Sequence, residues 1–226
     1  MRHAIARTAL AITLSLAGAG LAQAQVAGLP VMNSGVVSGI GFSLDAGFPN
    51  DTAGGGWAGG ATVKAGFGLI GVTASVSRLD PKVGDPVWSG GATANLKVFG
   101  GPLVPIAVTL QGGAGYTTPK FSCIPPGSSC DIKQWHFPAG LGISFTVPNP
   151  ALAIKPWIAP RADIIRTTQT GQPANTDVGF GISGGVELNF LNGMGLHAAY
   201  DWTNHDGSKP SIFSAGIHYT FRVPGL

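Results

Sequence analysis

The chain predicts an all-β fold, a ten-stranded antiparallel transmembrane β-barrel with eight strands as the fallback count, and three patterns predict it. Apolar and polar residues alternate with period two in segment after segment. In the last of these, Phe213, Ala215, Ile217, Tyr219 and Phe221 share one face while Ser214, Gly216, His218 and Thr220 share the other. Such a strand has lipid outside and water or polar packing inside. The connections between segments are alternately short and long, and aromatic residues collect at the two ends of the outward face. No stretch after the N-terminus offers the roughly 18 consecutive apolar residues of a spanning helix, so any crossing is made by strands.

Residues 1–24 carry Arg2 and Arg7, an apolar run over 9–21, and Ala22-Gln23-Ala24. That order of charged start, apolar middle and small-residue site is a signal peptide, with the mature chain beginning near Gln25. Removing Arg2 and Arg7 leaves 11 of the 13 Lys and Arg against 10 Asp and Glu, a balance that calls for no nucleic acid partner. Residues 25–226 contain no linker, charge run or composition break, so they form one barrel domain.

Ten strands follow from alternation and turn residues: 36–46, 57–67, 69–79, 88–99, 105–116, 134–147, 154–166, 177–190, 194–203 and 211–221. Most have the roughly 9 to 11 residues that carry a tilted strand across a bilayer. After the even-numbered strands the connections are short: Gly68, 100–104, 148–153 and 191–193. After the odd-numbered strands they are longer and rich in Gly, Pro, Asn and Asp, the longest being 117–133. In bacterial barrels the short turns and the termini face the periplasm. Pro156 and Pro160 share parity on the seventh strand and lack the N–H that pairs toward one neighbour, which predicts a weak seam on one side.

Gly makes up 36 of 226 residues and charged types only 10%, proportions suited to strands that meet lipid on one face and pack in a narrow cylinder on the other. Cys123 and Cys130 flank Ile-Pro-Pro-Gly-Ser-Ser. In an exported protein that spacing predicts a disulfide pinching the longest loop, and no His or second Cys pair accompanies it to suggest a metal. No pattern calls for a cofactor.

Trp57, Trp88, Tyr116, Trp135, Phe180 and Trp202 fall on the outward face beside the long loops, and Phe67, Phe99, Phe145, Phe190 and Phe221 lie at or near the opposite ends. These are two aromatic girdles at two interfaces. A soluble sandwich would instead cluster its aromatics at mid-strand, where this chain has mostly Ala, Val, Ile and Leu.

With its terminal Gly-Ile-His-Tyr-Thr-Phe, the chain resembles the small outer-membrane β-barrel proteins of the OmpA/OmpX-like kind. The resemblance implies residence in the bacterial outer membrane among its lipid, and an assembly signal ending in Tyr219 and Phe221 that the barrel assembly machinery reads. Two departures stand out. Arg222 to Leu226 follow the signal, and ten strands exceed the eight typical of those families.

Inward parity selects Asp45, Lys64, Asn95, Lys97, Gln111 and His136 from the first six strands. From the last four it selects Lys155, Arg161, Asp163, Glu187, Asn189, His197, Asp201 and His218. Lys155, Glu187, His197, His218, Arg161 and Asp163 form the predicted lumen charge cluster, with Glu187, the only glutamate, as its anionic hub. Such charges neutralise one another in a polar core, or they line a narrow ion path. Small inward residues such as Thr62, Gly71, Thr73 and Ser75 suit either arrangement. Asp201, His205 and Asp206, with Asp51, Asp163 and His136 across the rim, are the candidates for base-activated water chemistry of a lipid A-modifying enzyme or rim protease. No Ser–His pair emerges from spacing or parity. The function predicted is therefore non-enzymatic, either a small pore or a structural and surface-interaction protein, with small solutes or a surface ligand as candidate partners.

Overall fold

A computed structural model describes residues 26–101, 104–122, 129–147, 149, 151–169 and 172–221. The predicted signal peptide and Cys123 lie outside them, as does the side chain of Cys130, so the predicted disulfide does too.

The strands are β1 (Gly39–Pro49), β2 (Trp57–Phe67), β3 (Ile70–Asp80), β4 (Val87–Phe99), β5 (Ile106–Thr117), β6 (Lys120–Ser122), β7 (Ser129–Phe145), β8 (Leu152–Gln169), β9 (Asn175–Phe190), β10 (Met194–Asn204) and β11 (Ser211–Phe221). The three-residue β6 only extends the start of β7. The other ten each pair antiparallel with their neighbours in sequence, and β1 pairs with β11, which closes the barrel. Closure leaves no edge of unpaired backbone to face lipid.

The apolar parity faces outward throughout. Phe42, Leu44, Val72, Ile158, Leu196 and Ile217 are among the exposed large side chains of mid-strand. Trp57, Trp88, Trp135 and Phe180 on the long-loop side and Phe67, Phe99, Phe145, Phe190 and Phe221 on the short-turn side are also exposed, so both girdles are present. Tyr116 packs on Trp135 with ring centroids 4.8 Å apart. Phe221 meets Phe42 edge-on across the β1–β11 closure. An outer face this apolar and a closed ladder together make the protein a membrane-spanning barrel of the outer membrane.

Three features differ from the sequence expectation. The first strand runs from Gly39 to Pro49 rather than over 36–46, and Gly39 at φ 106 breaks the run predicted to start at Val36. Strands β7, β8 and β9 span 17, 18 and 16 residues, longer than a bilayer needs, and their polar ends stand beyond the loop-side girdle. The third concerns chain direction at the N-terminus. Val26 lies at the long-loop end, buried with Ala58, Leu79 and Val87, and from there the chain descends inside the barrel to Val36 beside Gly66 and Gly71 at the short-turn end. The described chain therefore starts at the long-loop end, with Val26, and finishes at the short-turn end, with Phe221.

The proline seam is visible in the ladder. Along β7–β8, pairing lapses between Gly140↔Arg161 and Ile143↔Ile158 without a change of register, next to Pro160. Along β5–β7 it lapses between Gly112↔Ala139 and Gly115↔His136, next to Pro138. The β8–β9 ladder runs unbroken from Leu152 to Thr167.

Candidate functional site

The candidate site is the lumen, and strand register builds it. Directly opposed residues on neighbouring strands share a face, so Lys155↔Glu187 and Glu187↔His197 put three polar groups side by side on β8, β9 and β10. The next residue in that row is Gly216 on β11, followed by Asp45 on β1. Gly216 has no side chain to intervene. A Cβ there would meet His197 Nε2 and Asp45 Oδ1, which instead bond to each other at 2.5 Å. His197 also reaches His218 at 3.1 Å, and His218 reaches Asn189 at 2.9 Å. Glu187 lies 3.9 Å from both Lys64 and Lys155 and accepts the Ser34 hydroxyl at 2.5 Å.

Nearer the loop side is a second cluster. Arg161 Nε holds Asp163 at 3.0 Å and its Nη2 holds Asp201 at 2.8 Å, while His136 bonds Asp163 at 2.6 Å. All four side chains are almost fully buried, and each charge has an opposite partner, the condition under which buried ions persist. The predicted single cluster is thus two, Glu187 with Lys155, His197 and His218 in one and Arg161 with Asp163 in the other. Asp45 and Lys64 join the first and Asp201 the second. Inward parity already marked all three.

The candidate rim chemistry is dispersed. Asp51 pairs with Lys82 at 2.6 Å, and His205 with Asp177 at 3.0 Å. Asp206 stands exposed in a turn at φ 46. Tyr219 and Phe221 pack on each other at the end of β11, 4.4 Å between centroids, facing outward.

Sequence reading missed the lumen's principal occupant, residues 26–38. The segment has no charged residue and threads between the two clusters. The wall holds much of it by main chain. Ser89 Oγ accepts the Ala27 N–H and the Ser77 hydroxyl donates to the Ala27 carbonyl, both at 2.7 Å. Asp201 accepts the Val31 N–H at 2.9 Å, and the Ser183 hydroxyl donates to the Val31 carbonyl at 2.6 Å. Gln111 donates to the Met32 carbonyl at 3.0 Å, and Thr109 to the Asn33 side chain at 2.7 Å. Apolar contacts complete the seat. Met32 packs on Trp157, Ala159 and Ala199, and Val31 meets Ala53 and Ile212 under the first long loop. Trp157, also unassigned by sequence reading, is an inward tryptophan only 4% exposed. A cavity of about 30 Å³ remains beside the segment, lined in part by Ser43, Asp45, Thr62 and Lys64. It has room for a water or two.

No family model matches the sequence. No curated protein matches it either. Among solved structures, the chain is similar to the β domain of the Bordetella autotransporter BrkA, with TM-score 0.49 and 12% identity over 80% of this chain and 98% of that one. It is similar also to the N-terminal β-barrel domain of Pseudomonas aeruginosa OprF, with TM-score 0.41 and 9% identity over 80% and 96%. Ail, the attachment invasion locus protein of Yersinia pestis, gives TM-score 0.40 and 13% identity over 82% and 100%. In its strand plan the chain is an up-and-down antiparallel meander closed by first strand against last.

Proposed function

We propose that the protein is a non-enzymatic outer-membrane barrel that is closed at rest, a structural and surface-interaction element rather than a standing pore. The observation that carries this reading is the passage of residues 26–38 through the lumen, with Val26, Leu29, Val31, Asn33 and Ser34 each 5% exposed or less. A path filled by packed side chains and by a main chain bonded to the wall at Ala27, Val31 and Met32 offers ions no continuous water. The separate pairing of the rim groups supports the non-enzymatic side. Asp201 takes Arg161 and the Val31 amide, Asp51 takes Lys82, and His136 and His205 each take a carboxylate. In this reading the partners are the lipid around the apolar belt, the assembly machinery at Tyr219 and Phe221, and a surface ligand at the long loops.

Single-channel recording in planar bilayers tests it. The intact protein is expected to show no steady conductance, and a variant lacking residues 26–35 to conduct. Steady conductance from the intact protein contradicts the reading. Turnover of lipid A or of peptide that disappears in His205→Ala overturns its non-enzymatic part.

A further inference from the structure

We propose that the lumen is a binding site for an uncharged polypeptide segment, and that the chain's own residues 26–34, which begin with a turn at Val26–Leu29, are its tethered, exchangeable occupant. The inference rests on the plugged lumen and goes beyond it, from what fills the barrel to what the wall recognises.

Three levels of the wall read peptide groups that every residue except proline carries. At Ala27 and again at Val31, one wall side chain accepts the N–H while another donates to the carbonyl of the same residue. At Met32, Gln111 donates to the carbonyl. A paired donor and acceptor on one residue holds that residue's backbone whatever its side chain, both in the turn at Ala27 and further on at Val31, much as strand-adding sites gain affinity from the main chain and specificity from pockets. Pockets are present too. A Cβ on Gly60 would overlap Leu29, and one on Gly71 would press on Val36. The absence of charge in the occupant fits a wall in which Lys64, Lys155 and Arg161 already face Glu187, Asp163 and Asp201. A charged segment would have to displace those pairs.

Tethering makes the bound segment hard to compete with, because a short linker gives it an effective concentration on the order of millimolar. Cutting the tether after folding removes that advantage and leaves the barrel already assembled. Ser38 is the place to cut, as it is exposed where the segment meets β1. The experiment inserts a protease recognition site after Ser38 in the full chain, folds it in detergent, cleaves it, and adds a fluorescent synthetic peptide of residues 26–38. Expected results are retention of the heat-modifiable barrel, saturable binding of the peptide by the cleaved protein, and at least tenfold weaker binding by the uncleaved one. A peptide N-methylated at Val31, which cannot donate to Asp201, is expected to bind at least tenfold more weakly than the unmodified peptide.

Failure of the labelled peptide to bind, with the cleaved fragment never released, overturns exchangeability. Equal binding of the N-methylated peptide overturns main-chain recognition. Collapse of the barrel on cleavage shows the segment to be part of the fold and also overturns the proposal. None of these outcomes makes the intact protein conduct, so failure here remains distinct from failure of the closed-barrel reading.

Discussion

At the scale of the residue, Glu187 shows how the lumen is balanced. It faces Lys64 and Lys155 at 3.9 Å, and those side chains are 19% and 20% exposed. Neutralising it leaves two ammonium groups without their common anion and weakens the hydrogen bond that the Ser34 hydroxyl donates to it. Loss of one partner from a fully buried pair costs about 3 to 5 kcal/mol, and the long distances and residual exposure here bring the expected loss to roughly 1 to 3 kcal/mol. Urea unfolding in detergent should show Glu187→Gln less stable than the parent by that amount. Unchanged unfolding would mean that the lysines find water instead. Gly71 allows a more selective change. The nearest atoms a Cβ there would meet belong to the Val36 side chain, so Gly71→Val overpacks the lower end of the segment, at a cost of about 1 to 3 kcal/mol. Its expected signature is faster amide exchange at residues 36–38 with strand protection unchanged. Slower or unchanged exchange there would show that Val36 is not seated against β3.

At the scale of the element, the strands were legible and the occupant was not. Period-two alternation marks β2 and β11 to the residue, because lipid on one side and polar packing on the other force every position to declare its face. The ends of β7, β8 and β9 escaped because, once clear of the bilayer, Thr167, Thr168 and Asn175 need no apolar partner to remain in the ladder. Residues 26–35 carry no period at all, since an irregular chain that turns at Ala27–Gly28 and is enclosed by a wall meets different neighbours at every step. Parity found the inward charges, but their division into two clusters depends on strand stagger, which no single strand encodes. The prolines were legible because their chemistry is local. Amides of β7 flanking Leu141 and Gly142 should exchange faster than those of β9 facing β8, where Lys155↔Glu187 sits in an unbroken ladder. Uniform protection along both seams would show that the lapse in pairing carries no energetic weight.

At the scale of the whole molecule, an apolar exterior, paired charges inside and an uncharged chain between them make one closed object. Each part conditions the next. The outer face commits the strands to lipid, the barrel that results must bury its inward ions, and those ions pair because a neutral segment rather than water lies beside them. The segment's position is therefore the central claim. Hydrogen exchange on the unmodified protein in detergent or vesicles, followed peptide by peptide, tests it most directly. The account predicts that the amides of Ala27 and Val31, each bonded to a wall side chain, are protected comparably to those of β9 and β10. Exchange of both as fast as the exposed turn at Asp206 and Gly207 would place the segment outside the barrel and contradict it.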